Sequence, residues 1–273
     1  MAATPTIVGF VVLISRDVAQ RRKAVLSLAD AKSKLDDGDI DGGKAAALAA
    51  QQLAPGLIPA AVLAAEFLNL EGKTRQATTA LKKAWSQNPH PDLAQAFAEL
   101  KPEETPEERR KRFSALTRIN TDNIETKLLK AELALADEDF PAARRAISGI
   151  NDEDPTVRSL TVMAAIERGE GAPDETVRGW LTKALDAAKG NEWVCENCGT
   201  IHGDWGVICT NCEGFDTIEW KRPQRVERDA SSTPLLGFTA GMLAGAAPVS
   251  NGTDQDETLV DVTPSASEAT DKS

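Results

Sequence analysis

Two pairs of closely spaced cysteines constrain what this chain can fold into more than any other feature. All four cysteines of the protein lie in these pairs, and ten residues separate one pair from the other. A tetrahedral thiolate site holds four sulfurs about 2.3 Å from a divalent ion, and a two-residue gap lets both sulfurs of a pair point inward from one tight turn. The spacing predicts a zinc ribbon or a rubredoxin-like pair of knuckles, with the metal ligands Cys195, Cys198, Cys209 and Cys212.

Two disulfides and a redox-active Cys-x-x-Cys are the alternative uses of these pairs. The metal site is favoured because no cysteine is left over and both pairs lie in turn sequence, with Gly199 after the first pair and Gly214 two residues after the second. Glycine accepts the positive φ that such turns often need. Four thiolates suit zinc or iron. We favour structural zinc, since four protein ligands leave no open position for water or substrate.

The residues around the cysteines are interpreted as structural. His202 is predicted to be a surface histidine of the loop between the knuckles, because four thiolates already complete the metal site. A small ribbon has little core, so large side chains must help to stabilise it, and the nearby aromatics are predicted to pack rather than to stack on a ligand. These aromatics are Trp193, Trp205, Phe215 and Trp220.

A period of 34 residues runs through the first part of the chain. It separates Gly38 from Gly72 and Pro55 from Pro89, and small or apolar residues match at the same interval. A helix–turn–helix unit of 34 residues is typical of the tetratricopeptide repeat, whereas an alanine-rich bundle with accidental register is the alternative. The period predicts an all-α fold with a tetratricopeptide-like α-solenoid. Together with the cysteine pairs and the composition of the C-terminal end, the predicted order is this solenoid, a small four-Cys zinc ribbon and a disordered tail.

Apolar spacing and breaker residues place ten helices in this repeat region. A basic run, Arg109–Arg112, is interpreted as a solvated helix face with Glu107 and Glu108 as its partners. The predicted helices cover residues 17–35, 41–53, 57–70, 74–87, 91–100, 106–118, 123–136, 141–150, 154–168 and 174–188.

The two ends of the chain differ from its middle. The apolar run Ile7–Ile14 is far shorter than the ~20 residues of a membrane helix, and it lacks the features of a signal peptide. The end of the chain is acidic and rich in serine and threonine, which predicts disorder, although Leu235–Ala247 reads as a linker or a short docking segment. The predicted organisation is a short apolar segment (1–16), helical repeats (17–190), a metal ribbon (191–225), which either caps the repeats or folds back on them, and a disordered acidic tail (226–273).

Charge and missing motifs narrow the function. A net charge of −11 and a pI near 4.8 argue against nucleic-acid binding. We find no phosphate-binding glycine loop and no H-E-x-x-H motif, and the two histidines, His90 and His202, give little support for acid–base catalysis. A turn role suffices for His90. The chain is therefore predicted not to be an enzyme, with no catalytic residue, and to work in a reducing compartment.

The repeats, N-P-H-P-D-L-A from Asn88 to Ala94 and the ribbon from Trp193 to Trp220 together resemble HemY-type tetratricopeptide proteins of alphaproteobacteria. The resemblance covers roughly residues 20–225 and corresponds to the C-terminal half of that family. It implies a non-catalytic adaptor at the inner membrane with tetrapyrrole-biosynthesis enzymes as partners. This chain lacks a full transmembrane helix in its sequence, so the cytoplasm is the other expected location.

A similar layout of repeats and metal module occurs in LapB-type regulators of lipopolysaccharide synthesis. Three hypotheses follow: a scaffold whose solenoid surface binds protein partners, an electron carrier if the cage holds iron, and a metal enzyme, which the closed ligand set disfavours.

Overall fold

The computed structural model describes residues 5–224, with side chains from Arg16 onward. The predicted tail, 226–273, and its Leu235–Ala247 segment lie outside the described residues. The helices are α1 Pro5–Asp36, α2 Ile40–Leu53, α3 Ile58–Leu70, α4 Thr74–Gln87, α5 Pro91–Glu99, α6 Pro106–Thr117, α7 Ile124–Ala136, α8 Phe140–Ile147, α9 Ile150–Glu153, α10 Val157–Gly169 and α11 Asp174–Asp186. The strands are β1 Glu192–Cys195, β2 Ile201–His202 and β3 Ile218–Lys221.

The predicted fold class is confirmed, since the described chain is mostly helical and a four-cysteine cluster lies near its C-terminal end. Neighbouring helices pack most extensively in the pairs α1/α2, α3/α4, α7/α8 and α10/α11. Neighbouring pairs meet through α2 with α3 and through α7 with α10. Between the second pair and the third, α5 packs against α3 and α6 packs against α7, so contacts continue along the chain as in a stack of repeats.

The first helix of each of these four pairs ends in the same backbone motif. A residue with positive φ follows the helix, and the next amide donates to a carbonyl five residues earlier, as from Asp39 to Lys34 (2.8 Å) and from Lys73 to Leu68 (2.8 Å). This motif stops the helix and turns the chain into the second helix of the pair. The positive-φ residues are Gly38, Gly72, Glu138 and Gly171.

Small side chains let the helices of the first two pairs approach closely. The alanines that match at the 34-residue interval, Ala46 with Ala80 and Ala50 with Ala84, are all buried. Larger apolar side chains from α1, α3, α4 and α5 fill the remaining space, among them Leu28, Leu81 and Phe97. The sequence pattern and the core of the repeats therefore coincide.

Helix boundaries differ from the prediction by three or more residues in three places, and by at most two residues elsewhere. One helix, α1, runs from Pro5 to Asp36, so the structure has no break between the described part of the apolar segment, 5–16, and the repeats. The predicted helix 141–150 ends at Ile147, because the positive φ of Gly149 (+87°) turns the chain into the short α9. The last predicted pair begins at Val157 instead of Asp154, because Thr156 and Ser159 form a capping box there.

The basic run on α6 does not use the partners predicted for it. Arg110 binds Asp137 (2.9 Å) and Asp139 (2.8 Å) of the next helix pair, and Arg112 pairs with Glu104. The carboxylate of Glu108 instead accepts hydrogen bonds from the amide and the hydroxyl of Thr105 in a capping box. The run thus ties α6 to the turn between α7 and α8, in addition to facing solvent.

Among the residues that the structure describes, no helix has both the length and the apolar character needed to cross a bilayer.

Candidate metal centre

Two matched turns hold the cysteines at one end of a three-stranded antiparallel sheet with strand order β2-β1-β3. In the first turn the amide of Cys195 donates to the carbonyl of Thr200 (2.9 Å), and the amide of Gly199 donates back to Cys195 (2.9 Å). The second turn repeats both bonds, from Cys209 to Gly214 (2.9 Å) and from Glu213 to Cys209 (3.0 Å). The two cysteine pairs therefore sit in equivalent knuckles that face each other.

The four sulfurs form a cluster of the size that a metal ion requires. The Sγ atoms of Cys195 and Cys212 are 3.7 Å apart, those of Cys198 and Cys209 are 3.6 Å apart, and all four lie within 4.8 Å of one another. Sulfurs about 2.3 Å from a tetrahedral ion lie about 3.8 Å from each other, whereas a disulfide brings them to about 2.0 Å. All four thiols are free. The cysteine cluster could therefore bind one metal ion, and the disulfide alternative does not describe this structure.

The two glycines of the knuckles serve different purposes. Gly199 has the predicted positive φ of +73°, but in the second knuckle Glu213 takes that conformation (φ +57°). Gly214 is needed for space, because a Cβ there would lie 2.9 Å from the side chain of Thr217 and 3.3 Å from the Sγ of Cys212. The prediction that Gly214 supplies positive φ was wrong.

Replacing Gly214 with alanine is expected to destabilise the ribbon by about 1–2 kcal/mol, a typical cost of overpacking. Thr217 would have to move, and its hydroxyl lies 3.3 Å from the Sγ of Cys195. Chemical unfolding of the metal-loaded protein measures the loss. Gly203→Ala is the matched control, since a Cβ there meets nothing within 4 Å. Equal stability of the two variants would contradict this reading.

Polar groups around the sulfurs favour the thiolate form at the first knuckle. The hydroxyl of Thr200, followed by the side chain of Asn211, lowers the pKa of Cys198 to about 5. The hydroxyl of Thr217 lowers the pKa of Cys195. At Cys209 the amide of Cys212 lowers the pKa, but burial and the neighbouring thiols outweigh it and raise the pKa to about 11. A bound cation would favour the thiolate at every position.

His202 is half-buried rather than a surface residue, and its Nε2 lies 3.4 Å from the Sγ of Cys209. This distance suits a weak hydrogen bond to a thiolate. The imidazole can therefore partly offset the negative charge of the second knuckle without being one of the four ligands.

The ribbon folds back on the first helices, one of the two arrangements that the sequence left open. Trp193, Trp205 and Ile218 share one buried cluster with apolar side chains of α1, α3, α4 and α5. The predicted packing role of the aromatics agrees with this burial. The helices and the ribbon belong to one compact unit that ends at Gln224. The ribbon that carries the cysteines therefore shares its hydrophobic core with the repeats.

The residue that sequence reasoning missed is His90, which is the N-cap of α5 and lies against the ribbon. It is 2% exposed, and its ring centroid lies 4.2 Å from that of Trp220 and 5.0 Å from that of Trp193. Its Nδ1 accepts a hydrogen bond from the amide of Asp92 (3.0 Å), which places the proton of the neutral ring on Nε2. Burial, with a smaller contribution from Arg158, lowers the pKa of His90 to about 4. The only sequence signal was its place in N-P-H-P.

An ion pair provides a second link between ribbon and helices. Arg21 of α1 donates from Nε to both carboxylate oxygens of Asp216 (3.1 Å each), and one of its terminal nitrogens lies 3.0 Å from Oδ1. The side chain of Asp216 is 6% exposed and that of Arg21 is 35% exposed. Asp216 is therefore the buried partner, and its negative charge depends on Arg21 to balance it.

Replacing Arg21 with glutamine is expected to cost about 2 kcal/mol of unfolding free energy, because the buried carboxylate of Asp216 would lose its cationic partner. This is below the ~3–5 kcal/mol of a fully buried pair, since solvent reaches the arginine. Arg22→Gln is the control, as Arg22 is exposed. Adding Asp216→Asn should recover part of the loss. If both single variants unfold at the same denaturant concentration, the ion pair does not hold the ribbon.

Comparison with known proteins shows a distant similarity to a curated protein but does not assign the chain to a family. No model of a known protein family matches the chain. A stretch of 158 residues, 58% of the chain, is 30% identical to a probable magnetosome protein, Mms48, of Magnetospirillum gryphiswaldense. The chain spans about a third of the length of that relative (35%).

Proposed function

We propose that this chain is a non-catalytic adaptor of the tetratricopeptide type, which binds protein partners on its helical surface and is linked to tetrapyrrole biosynthesis at the inner membrane. The observation that carries the proposal is the continuous core between the ribbon and the first helices. That core gives the stack of helix pairs a fixed shape, and stacked helix pairs present extended surfaces suited to protein recognition. The link to tetrapyrrole enzymes rests on the resemblance to HemY-type proteins.

The metal proposed for the cysteine cluster is zinc in a structural role. Four cysteine ligands complete a tetrahedral site and leave no position for a substrate or an activated water. The cage also shares its core with apolar side chains of the helices, which suits a role in stability rather than in turnover. The residues that would hold the ion are Cys195, Cys198, Cys209 and Cys212.

Affinity purification of the tagged full chain from its native cells tests the adaptor function. Tetrapyrrole-biosynthesis enzymes are expected to co-purify, and the double variant Cys195→Ser/Cys198→Ser is expected to lose them. Thr210→Ala, an exposed change in the second knuckle, is the control. Partners from lipopolysaccharide synthesis would instead favour a LapB-like role, and partners from magnetosomes would favour a role suggested by the relative's name. Capture and thermal stability that both survive the double variant would rule out coupling between the metal site and binding.

A rubredoxin-like electron carrier is the second candidate, and the exposure of Cys198 favours it. The sulfur cluster has the dimensions for iron as well as zinc, and Cys198 lies at the protein surface, where an electron could leave the cage. Iron would make the purified protein red through thiolate-to-iron absorption, and reduction would bleach it. A colourless protein that contains zinc excludes this candidate.

A further inference from the structure

A groove lined by three cationic side chains lies between α6 and α8, with α7 as its floor. Arg110 comes from α6, Lys130 from α7 and Arg145 from α8. The hydroxyl residues Ser114 and Thr117 of α6 also line it, and the other lining residues are alanines and a leucine. The groove has a volume of about 400 Å³ and no carboxylate in its lining. We call it the α6–α8 groove.

The positive charge of this groove is only partly balanced. Arg110 is neutralised by Asp137 and Asp139 at one end. Among the described residues, no carboxylate lies within 4.0 Å of Lys130 or Arg145, although Asp139 and Arg145 interact electrostatically over a greater distance. A chain with a net charge of −11 thus keeps two unpaired cations, from two different helices, on one concave surface.

The chemistry of the lining indicates the kind of ligand. Lys130 supplies a point charge and Arg145 supplies a planar donor fork, which together suit the several oxygens of a phosphate group. Hydroxyls of Ser114 and Thr117 add neutral donors on the same wall. The small apolar floor leaves room for such a group and offers no acceptor that competes with it. We propose that the α6–α8 groove binds a phosphate group, carried either by a free phosphoanion or by the headgroup of an anionic phospholipid.

Binding measurements on the full chain test this site with two probes. Inorganic pyrophosphate, followed by calorimetry, represents the free anion, and vesicles of phosphatidylglycerol with phosphatidylcholine, followed by co-sedimentation, represent the lipid. At least one probe is expected to bind, and Lys130→Gln/Arg145→Gln is expected to weaken that binding at least tenfold. Binding of pyrophosphate assigns the groove to a free anion, and binding of vesicles alone assigns it to a lipid headgroup.

A matched variant separates a built site from general electrostatics. Lys127→Gln/Arg178→Gln removes the same charge from α7 and α11 outside the groove, and it should leave binding unchanged. Helical circular dichroism confirms that both double variants are folded. The proposal is overturned if neither probe binds or if the two double variants lose binding equally. Its outcome does not depend on the adaptor function, since the groove contains no residue of the ribbon.

Discussion

Replacing Cys195 and Cys209 with serine is expected to lower the unfolding free energy of the helices together with that of the ribbon, by about 5 kcal/mol or more. These two cysteines are the buried ligands, one from each knuckle. Structural zinc contributes about 10–16 kcal/mol to the folding of small zinc domains, so a ribbon without its ion should not stay folded. Its loss would then expose the apolar surface of α1, α3 and α5 that it now covers.

Urea unfolding measures this effect with two signals. Helical circular dichroism reports on the repeats, and tryptophan fluorescence reports mainly on the ribbon, which contains three of the five tryptophans. In the native protein both signals should change in one transition, and in the double-serine variant both should shift to lower urea. Thr210→Ala should unfold like the native protein. A helical transition that stays in place while the ribbon is lost would show that the two parts are stable independently.

Acidification is expected to destabilise the fold by up to about 3 kcal/mol through His90 alone. Burial lowers the pKa of its imidazole from 6.5 to about 4. Between these values the unfolded chain binds the proton and the folded chain does not, so stability is complete above pH 6.5 and falls as the pH drops toward 4. About 2 kcal/mol should already be lost at pH 5. The protonated ring would have to sit charged between Trp193 and Trp220.

The variant His90→Asn isolates this effect from the acid sensitivity of the metal site. Asparagine keeps an acceptor at the N-cap of α5 but does not titrate. It should be less stable than the native protein at pH 7, because packing against the two indole rings is lost, and the difference should shrink by about 2 kcal/mol at pH 5. A difference between native protein and His90→Asn that is constant over this range would mean that His90 titrates normally.

The sequence predicted the helices where local chemistry decides the outcome. Gly38 and Gly72 accept positive φ without steric cost, so their interval of 34 residues was visible in the sequence. Further along, Glu138 takes the same conformation with the same hydrogen bonds. A glutamate carries no such signal, so the sequence did not mark this turn as a repeat boundary. The cysteine cluster was predictable for the same local reason, since each pair lies within one tight turn.

What the sequence did not predict depends on contacts between distant parts of the chain. His90 and Trp220 are separated by 130 positions, and Arg21 and Asp216 by 195. Nothing in the local pattern around His90 distinguishes a turn residue from one buried under a ribbon. The partners of Arg110 likewise come from the next helix pair rather than from its own helix. The contacts of His90 and Arg21 with the ribbon also depend on the path of the linker between α11 and β1, where the amide of Val157 donates to the carbonyl of Ala188 (2.8 Å).

Metal analysis of the full chain, purified from its native cells without added metal, tests the central claim most directly. Elemental analysis and thiol titration of one sample should give one zinc ion per chain, and four thiols that react only after the metal is removed. A protein without metal, or one whose four cysteines react at once or are paired in disulfides, would contradict the account of a metal that joins the ribbon to the helices.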